Sequence, residues 1–164
     1  MAIRNLNEFN KNFEPKAIGL RIWRARDNRG VSAAGLAREM NVSFQTLYKW
    51  ESGLCMPRLP KLERLARILH VSIHWLLMGE NPGYSDYCLD ENLTLGQRIQ
   101  IIRHDCGISM REMQDVFDVN YQTLYKWEGD ICVPSLENLA MLSGMFRVPV
   151  DVLLGHYVRR SAAA

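Results

Sequence analysis

Long hydrophobic runs are missing from this chain. None approaches the roughly 20 residues that a membrane-crossing helix needs. The opening stretch from Met1 to Asn7 has no apolar signal segment either. The expectation is a cytoplasmic protein with no membrane partner. Cysteine is scarce: Cys55, Cys88, Cys106 and Cys132 are the whole set. No two form a CxxC pair, and no histidine stands beside one at zinc-ligand spacing, which argues against a metal site. Reduced thiols in a cytosolic protein are the reading. Because Cys55 and Cys132 hold equivalent places, redox control through them stays an open question.

Catalytic signatures are absent too. There is no recognisable Ser/His/Asp set, no glycine-rich phosphate loop, no HExxH and no carboxylate pair outside expected salt bridges. His70, His74, His104 and His156 are scattered as surface or core residues. The chain is expected not to be an enzyme and to bind no cofactor. Alternating strand patterns are also lacking, so an all-α fold is expected.

What the chain does contain is a repeat. The heptapeptide Gln45-Thr46-Leu47-Tyr48-Lys49-Trp50-Glu51 returns as Gln122-Thr123-Leu124-Tyr125-Lys126-Trp127-Glu128, an offset of 122 − 45 = 77. The same offset relates Gly19 to Gly96, Arg26 to Arg103, Ser32 to Ser109, Cys55 to Cys132 and Pro57 to Pro134. Two copies are too few for a solenoid, so each must be a self-contained domain. The expected organisation is an N-terminal arm or short helix over 1–17, domain 1 over 18–80, a linker over 81–94, domain 2 over 95–157 and a tail over 158–164. Ile3, Leu6, Asn10 and Phe13 suggest an amphipathic helix in the arm.

Charge is uneven between the copies. Residues 16–80 carry 11 Lys/Arg against 5 Asp/Glu, or +6, whereas residues 95–164 carry 7 against 8, or −1. Such asymmetry hints at a polyanionic partner for the first copy.

Each copy reads as five short helices. In the first, Ile18, Ile22 and Ala25 make a helical stripe that ends near Gly30. Ser32 caps a second helix with Leu36, Ala37 and Met40 on its core side. Asn41-Val42 is a tight turn. Ser43 caps a third helix running through Trp50, with Leu47 and Trp50 inward, and Gly53 is placed to stop it. Leu62, Leu65 and Leu69 mark a fourth helix; Val71, Trp75 and Leu76 mark a fifth. The second copy repeats the pattern through Ile99, Ile102, Met113, Phe117, Val119, Leu124, Trp127, Leu139, Leu142 and Leu153.

Two short helices joined by a tight turn, followed by Trp-Glu-x-Gly and a proline, resemble the lambda-repressor/Cro-type helix-turn-helix family. The resemblance covers residues 18–79 and 95–156. It implies two tandem five-helix DNA-binding domains whose recognition helices are 43–50 and its counterpart. A helix fits the major groove, and exposed side chains near its N-terminus reach base edges. Phe44, Gln45 and Lys49 meet that requirement, as do Tyr121, Gln122 and Lys126. Gln bonds adenine bidentately, Lys donates to guanine, and an aromatic edge touches a thymine methyl. Ser43, Thr46 and Tyr48 are candidate phosphate contacts, with Asn120, Thr123 and Tyr125 beside them in the second copy. Gln45/Gln122 and Lys49/Lys126 are identical, although a core would not require it. Arg38/Asp115, Glu39/Val116, Lys61/Asn138 and Arg64/Met141 have drifted. The resemblance also assigns Arg26–Glu51 and Arg103–Glu128 as structural ion pairs.

Two positions depart from the family pattern. Ala33 and Met110 stand where a phosphate-holding Gln is common. Asp130 replaces Gly53, with Gly129 one place early. The implied function is a sequence-specific regulator of transcription that binds double-stranded DNA. The resemblance makes it a repressor of bacterial or phage type reading operator half-sites. The alternative is an antitoxin-like interaction module that binds a partner protein. A homodimer is favoured over an intramolecular pseudo-dimer of the two repeats.

Overall fold

The computed structural model describes residues 13–80, 89–90 and 92–156. The arm helix expected over Ile3–Phe13 lies almost entirely outside them, as do the tail from 158 onward and most of the linker. The described residues are helical with no strand. The chain divides into two compact units, within 13–80 and 89–156.

In the first unit, α1 (Pro15–Asn28) is followed by α2 (Ala33–Glu39), α3 (Phe44–Glu51), α4 (Leu59–Leu69) and α5 (Ile73–Met78). α1 starts at Pro15, one turn before the apolar stripe, because proline at the first helical position gives up no hydrogen bond there. The starts of α2, α3 and α5 are fixed by serine. Ser32, Ser43 and Ser72 accept from the amides of Gly35, Thr46 and Trp75 at 3.0, 3.1 and 3.0 Å. The turn between α2 and α3 places Asn41 at φ 51°, a conformation asparagine tolerates. Ile18, Ile22, Leu36, Met40, Leu47, Leu62, Leu65, Leu76 and Leu77 are fully buried. Each such side chain contributes about 1.5–3 kcal/mol through burial. α5 departs from the expected pattern. Ile73, Leu76 and Leu77 make its inward face, while Val71 and Trp75 are only half-buried. Its capping by Ser72 sets that rotation.

The second unit repeats the order as α6 (Leu95–Asp105), α7 (Met110–Phe117), α8 (Tyr121–Glu128), α9 (Leu136–Phe146) and α10 (Val150–Leu153). α7 begins with a reciprocal cap: Ser109 Oγ accepts from the Glu112 amide, and the Glu112 carboxylate accepts from the Ser109 amide. The Ser109 amide and the Ser109 hydroxyl, which both donate to that carboxylate, hold the Glu112 carboxyl below the usual carboxylate range. Phe117 packs edge-on against Trp127 with ring centres 5.6 Å apart; their counterparts in the first unit, Met40 and Trp50, are both buried.

The units differ at one joint. α1 and α3 touch at Gly19, where a Cβ would lie 2.4 Å from the Trp50 carbonyl oxygen and 2.6 Å from that of Glu51. Gly53 follows α3 at φ 71°, and a Cβ there would lie 2.5 Å from the Lys16 Cα. The first turn of α1 thus fills the space beside Gly53. In the second unit that turn is missing, since α6 starts at Leu95, the counterpart of Ile18. Asp130 occupies the vacated space at φ 56°. Its carboxylate accepts from the Gly96 amide at 2.8 Å and from the Thr94 hydroxyl. The departure seen in the sequence is therefore compensated by a shorter helix and a side-chain cap.

Candidate nucleic-acid interface

α3 packs on α1 and α2, and α8 packs on α6 and α7. Each is held at its C-terminal end by an ion pair. Arg26 Nε and Nη2 donate to the two Glu51 carboxylate oxygens at 2.6 and 3.1 Å. Arg26 Nη1 donates to the Val31 carbonyl at 2.9 Å. Arg103 does the same with Glu128 at 2.6 and 3.2 Å, and with the Ile108 carbonyl at 3.0 Å. These side chains are 7–12% exposed. One guanidinium thereby ties the first helix, the following loop and the third helix in a planar fork.

The buried stripe of α3 is Leu47 and Trp50; that of α8 is Leu124 and Trp127. This leaves Phe44, Gln45, Tyr48 and Lys49 exposed on one helix and Tyr121, Gln122, Tyr125 and Lys126 exposed on the other. The aromatic members are unusually open: Phe44 is 56% exposed, Tyr48 60%, Tyr121 53% and Tyr125 63%. Four open aromatics next to capped helix starts are hard to justify by folding alone.

Ser43 and Thr46, read as phosphate contacts, meet each other: their hydroxyls lie 2.8 Å apart while Ser43 caps the helix. Asn120 Oδ1 likewise accepts from the Thr123 amide at 2.8 Å and its hydroxyl at 2.9 Å. All four therefore shape the helix N-terminus, where backbone amides point outward and an anion is favoured. Tyr48 and Tyr125 stand one turn further on.

Two functional features escaped the sequence reading. The first is Arg21, counted there only within the basic total of residues 16–80. It is buried, and its Nη1 donates to the Leu76 and Leu77 carbonyls at 2.9 and 2.7 Å. Burial pushes its guanidinium below the usual value. Its counterpart Arg98 is buried against Gly155. The identity of Arg21 and Arg98 between copies was the available signal. The exposed charge of the first unit is accordingly smaller than +6. The second feature is the surroundings of the α2–α3 turn. Lys61 Nζ donates to the Met40 carbonyl at 3.3 Å, and Arg64 Nη2 to that of Glu39 at 2.7 Å. These contacts bring two cations of α4 to the C-terminal end of α2, where the helix dipole favours them.

In the second unit an open cleft lies at the corresponding turn. It is lined by Arg111, Gln114, Asp115, Asp118, Val119, Asn120 and Tyr121. Among the described residues no group of three or more His, Cys, Asp or Glu is placed to hold a metal. No helix there is long and apolar enough to cross a membrane. Cys55, Cys106 and Cys132 are free and exposed.

Comparison with known proteins leaves the chain with no match among curated proteins and none among solved structures. One family does match, over residues 23–76 of the first unit, from within α1 to within α5. That segment matches the helix-turn-helix family, a family of DNA-binding domains of transcription regulators.

Proposed function

We propose that the protein is a cytoplasmic regulator of transcription, a repressor that occupies operator DNA through tandem helix-turn-helix domains. α3 is its principal reading helix. The observation that carries this reading is the build of α3. It is capped at Ser43, locked at Glu51 and buried through Leu47 and Trp50, so its remaining face is rigid and open. Gln45 and Lys49 then address base edges, Phe44 offers an apolar edge, and Tyr48 approaches a phosphate. α8 presents Gln122, Tyr125 and Lys126 at the same places, with Tyr121 for Phe44, so both units recognise similar half-sites. The family match over 23–76 supports the domain type for the first unit, and internal identity extends the argument to the second.

Each of Gln45→Ala and Lys49→Ala is expected to weaken operator binding by about 1–3 kcal/mol. Circular dichroism should show unchanged helix content. The operator is first located by footprinting on the DNA upstream of the protein's own gene, and affinity is then followed by anisotropy. Wild-type affinity in both variants would sink the assignment.

The loops after α3 and α8 support association of two chains. Leu54 is 71% exposed, Ile131 69% and Val133 63%. Apolar side chains repeated at one place in each copy suit a self-complementary contact. Sedimentation at micromolar concentration should report twice the 18.9 kDa chain mass. A monomer of that mass protecting one pair of half-sites would instead leave a pseudo-dimer within one chain.

A further inference from the structure

Several of the charged positions at which the two copies have drifted lie around one turn. Arg38, next to the α2 C-terminus, is exposed and becomes Asp115. Lys61 and Arg64, anchored on the last carbonyls of α2, become Asn138 and Met141. Asn41, at the tip of the turn, becomes Asp118 with the same left-handed backbone, φ 49° against 51°. At this shoulder the first unit thus gathers three cations against the one carboxylate of Glu39, whereas the second has two carboxylates beside Arg111 in the same place. Those carboxylates share one cleft wall with Asn120 and Tyr121, the first residues of the reading helix region.

We infer that this shoulder, rather than the reading helix, sets the difference in how strongly the two units hold DNA. A helix that enters the major groove brings its N-terminus and the preceding turn against the sugar-phosphate strand. At that strand Arg38, Lys61 and Arg64 attract phosphate and release counterions. Asp115 and Asp118 face the same strand and repel it. Gln122 and Lys126 repeat Gln45 and Lys49, with Tyr121 in place of Phe44, so the second unit keeps its recognition code and loses its grip. It engages only when the first unit has already brought it to the duplex. This inference rests on the DNA-binding reading above and adds to it which residues divide the labour. Arg111, the cation in the cleft, offsets one of the two carboxylates but not both.

The test uses the full chain and a 30-base-pair duplex of arbitrary sequence, followed by fluorescence anisotropy across a salt series. Asp115→Arg with Asp118→Asn adds three units of net positive charge at the shoulder. Gln100→Lys with Asp105→Arg adds three on α6, away from the cleft lining. The shoulder variant should bind at least about tenfold tighter at low salt, with a log-log salt slope steeper by about 1. The α6 variant should change by less than about threefold. In the first unit, Arg38→Asp should lose about tenfold and flatten the slope. Added Lys126→Ala should remove most of the gain of the shoulder variant, because the gain acts through α8.

If the wild-type chain shows no salt-dependent binding to any duplex, the DNA-binding reading itself is overturned. If it binds but the shoulder and α6 variants gain equally, or Arg38→Asp leaves affinity unchanged, the shoulder inference alone fails.

Discussion

Gly19→Ala is expected to unfold the first unit at temperatures where the second remains folded. Intrinsic helix propensity points the other way, since alanine gains about 1 kcal/mol over glycine inside a helix. Steric contact decides the sign. The new methyl would sit 2.4 and 2.6 Å from two carbonyl oxygens of α3 and 2.9 Å from the Gly53 amide nitrogen. These are backbone atoms, so no rotamer change relieves the clash; α3 must move as a body. Overpacking a core costs about 1–3 kcal/mol and sometimes more. Here the neighbours are rigid, and about 3 kcal/mol net is expected. A domain this small has a total stability of only about 3–10 kcal/mol. The melting temperature of the first unit should therefore fall by roughly 12–24 °C. Hydrogen exchange read peptide by peptide separates the two units. Gly96→Ala should reverse the pattern, because it meets the Trp127 and Glu128 carbonyls at 2.6 Å. A rise in melting temperature for either variant would refute the close approach.

The second large effect concerns Arg26. Arg26→Ala removes both arms of the fork to Glu51 and the bond to the Val31 carbonyl. What remains is a carboxylate 12% exposed with its guanidinium gone. Leaving one charge of a largely buried pair uncompensated costs about 3–5 kcal/mol, and partial exposure brings the expectation to about 2–4. Arg26→Lys should recover only part of this, since an ammonium cannot reproduce a planar two-point contact. Arg26→Leu with Glu51→Leu should be less damaging than either single change, because replacing both charges leaves neither stranded. Urea denaturation of Arg26→Ala, Arg26→Lys, the two single leucine variants and the double variant gives the comparison. A double variant as unstable as the sum of the single ones would mean that the pair does not act as a unit. The same substitutions should loosen DNA binding beyond their effect on folding, because the fork sets the angle at which α3 leaves the domain.

Much of the helical layout was legible because the chain states it twice. Buried positions at helical spacing, Ser32 and Ser43 before helix starts, and the paired recurrence of Arg26 and Glu51 are local or duplicated signals. The structure puts each of these into a hydrogen bond or a core contact. The rest depended on through-space relations that spacing does not encode. Arg21 entered only as one basic residue in the net charge, yet it donates to carbonyls more than fifty residues away. Trp75 looked like core, yet the Ser72 cap turns Ile73 and Leu77 inward in its place. The drifted positions looked unrelated until the carbonyls of Glu39 and Met40 gathered Lys61 and Arg64 beside Arg38.

The joint at Gly53 and Asp130 bears on the history of the duplication. An aspartate beside an intact first turn would collide with the Lys16 backbone. A shortened first helix without the aspartate would leave the Gly96 amide without its carboxylate acceptor. Each change is tolerable only in the company of the other, and shortening is the gentler first step. Once both were fixed, the halves ceased to be exchangeable pieces. Chimaeras that cross over between residues 15 and 53, or between 92 and 130, should inherit mismatched joints. Crossovers in the linker should leave both halves sound. The surfaces of the two halves are free to diverge further, but gene conversion along that stretch would rebuild mismatched joints.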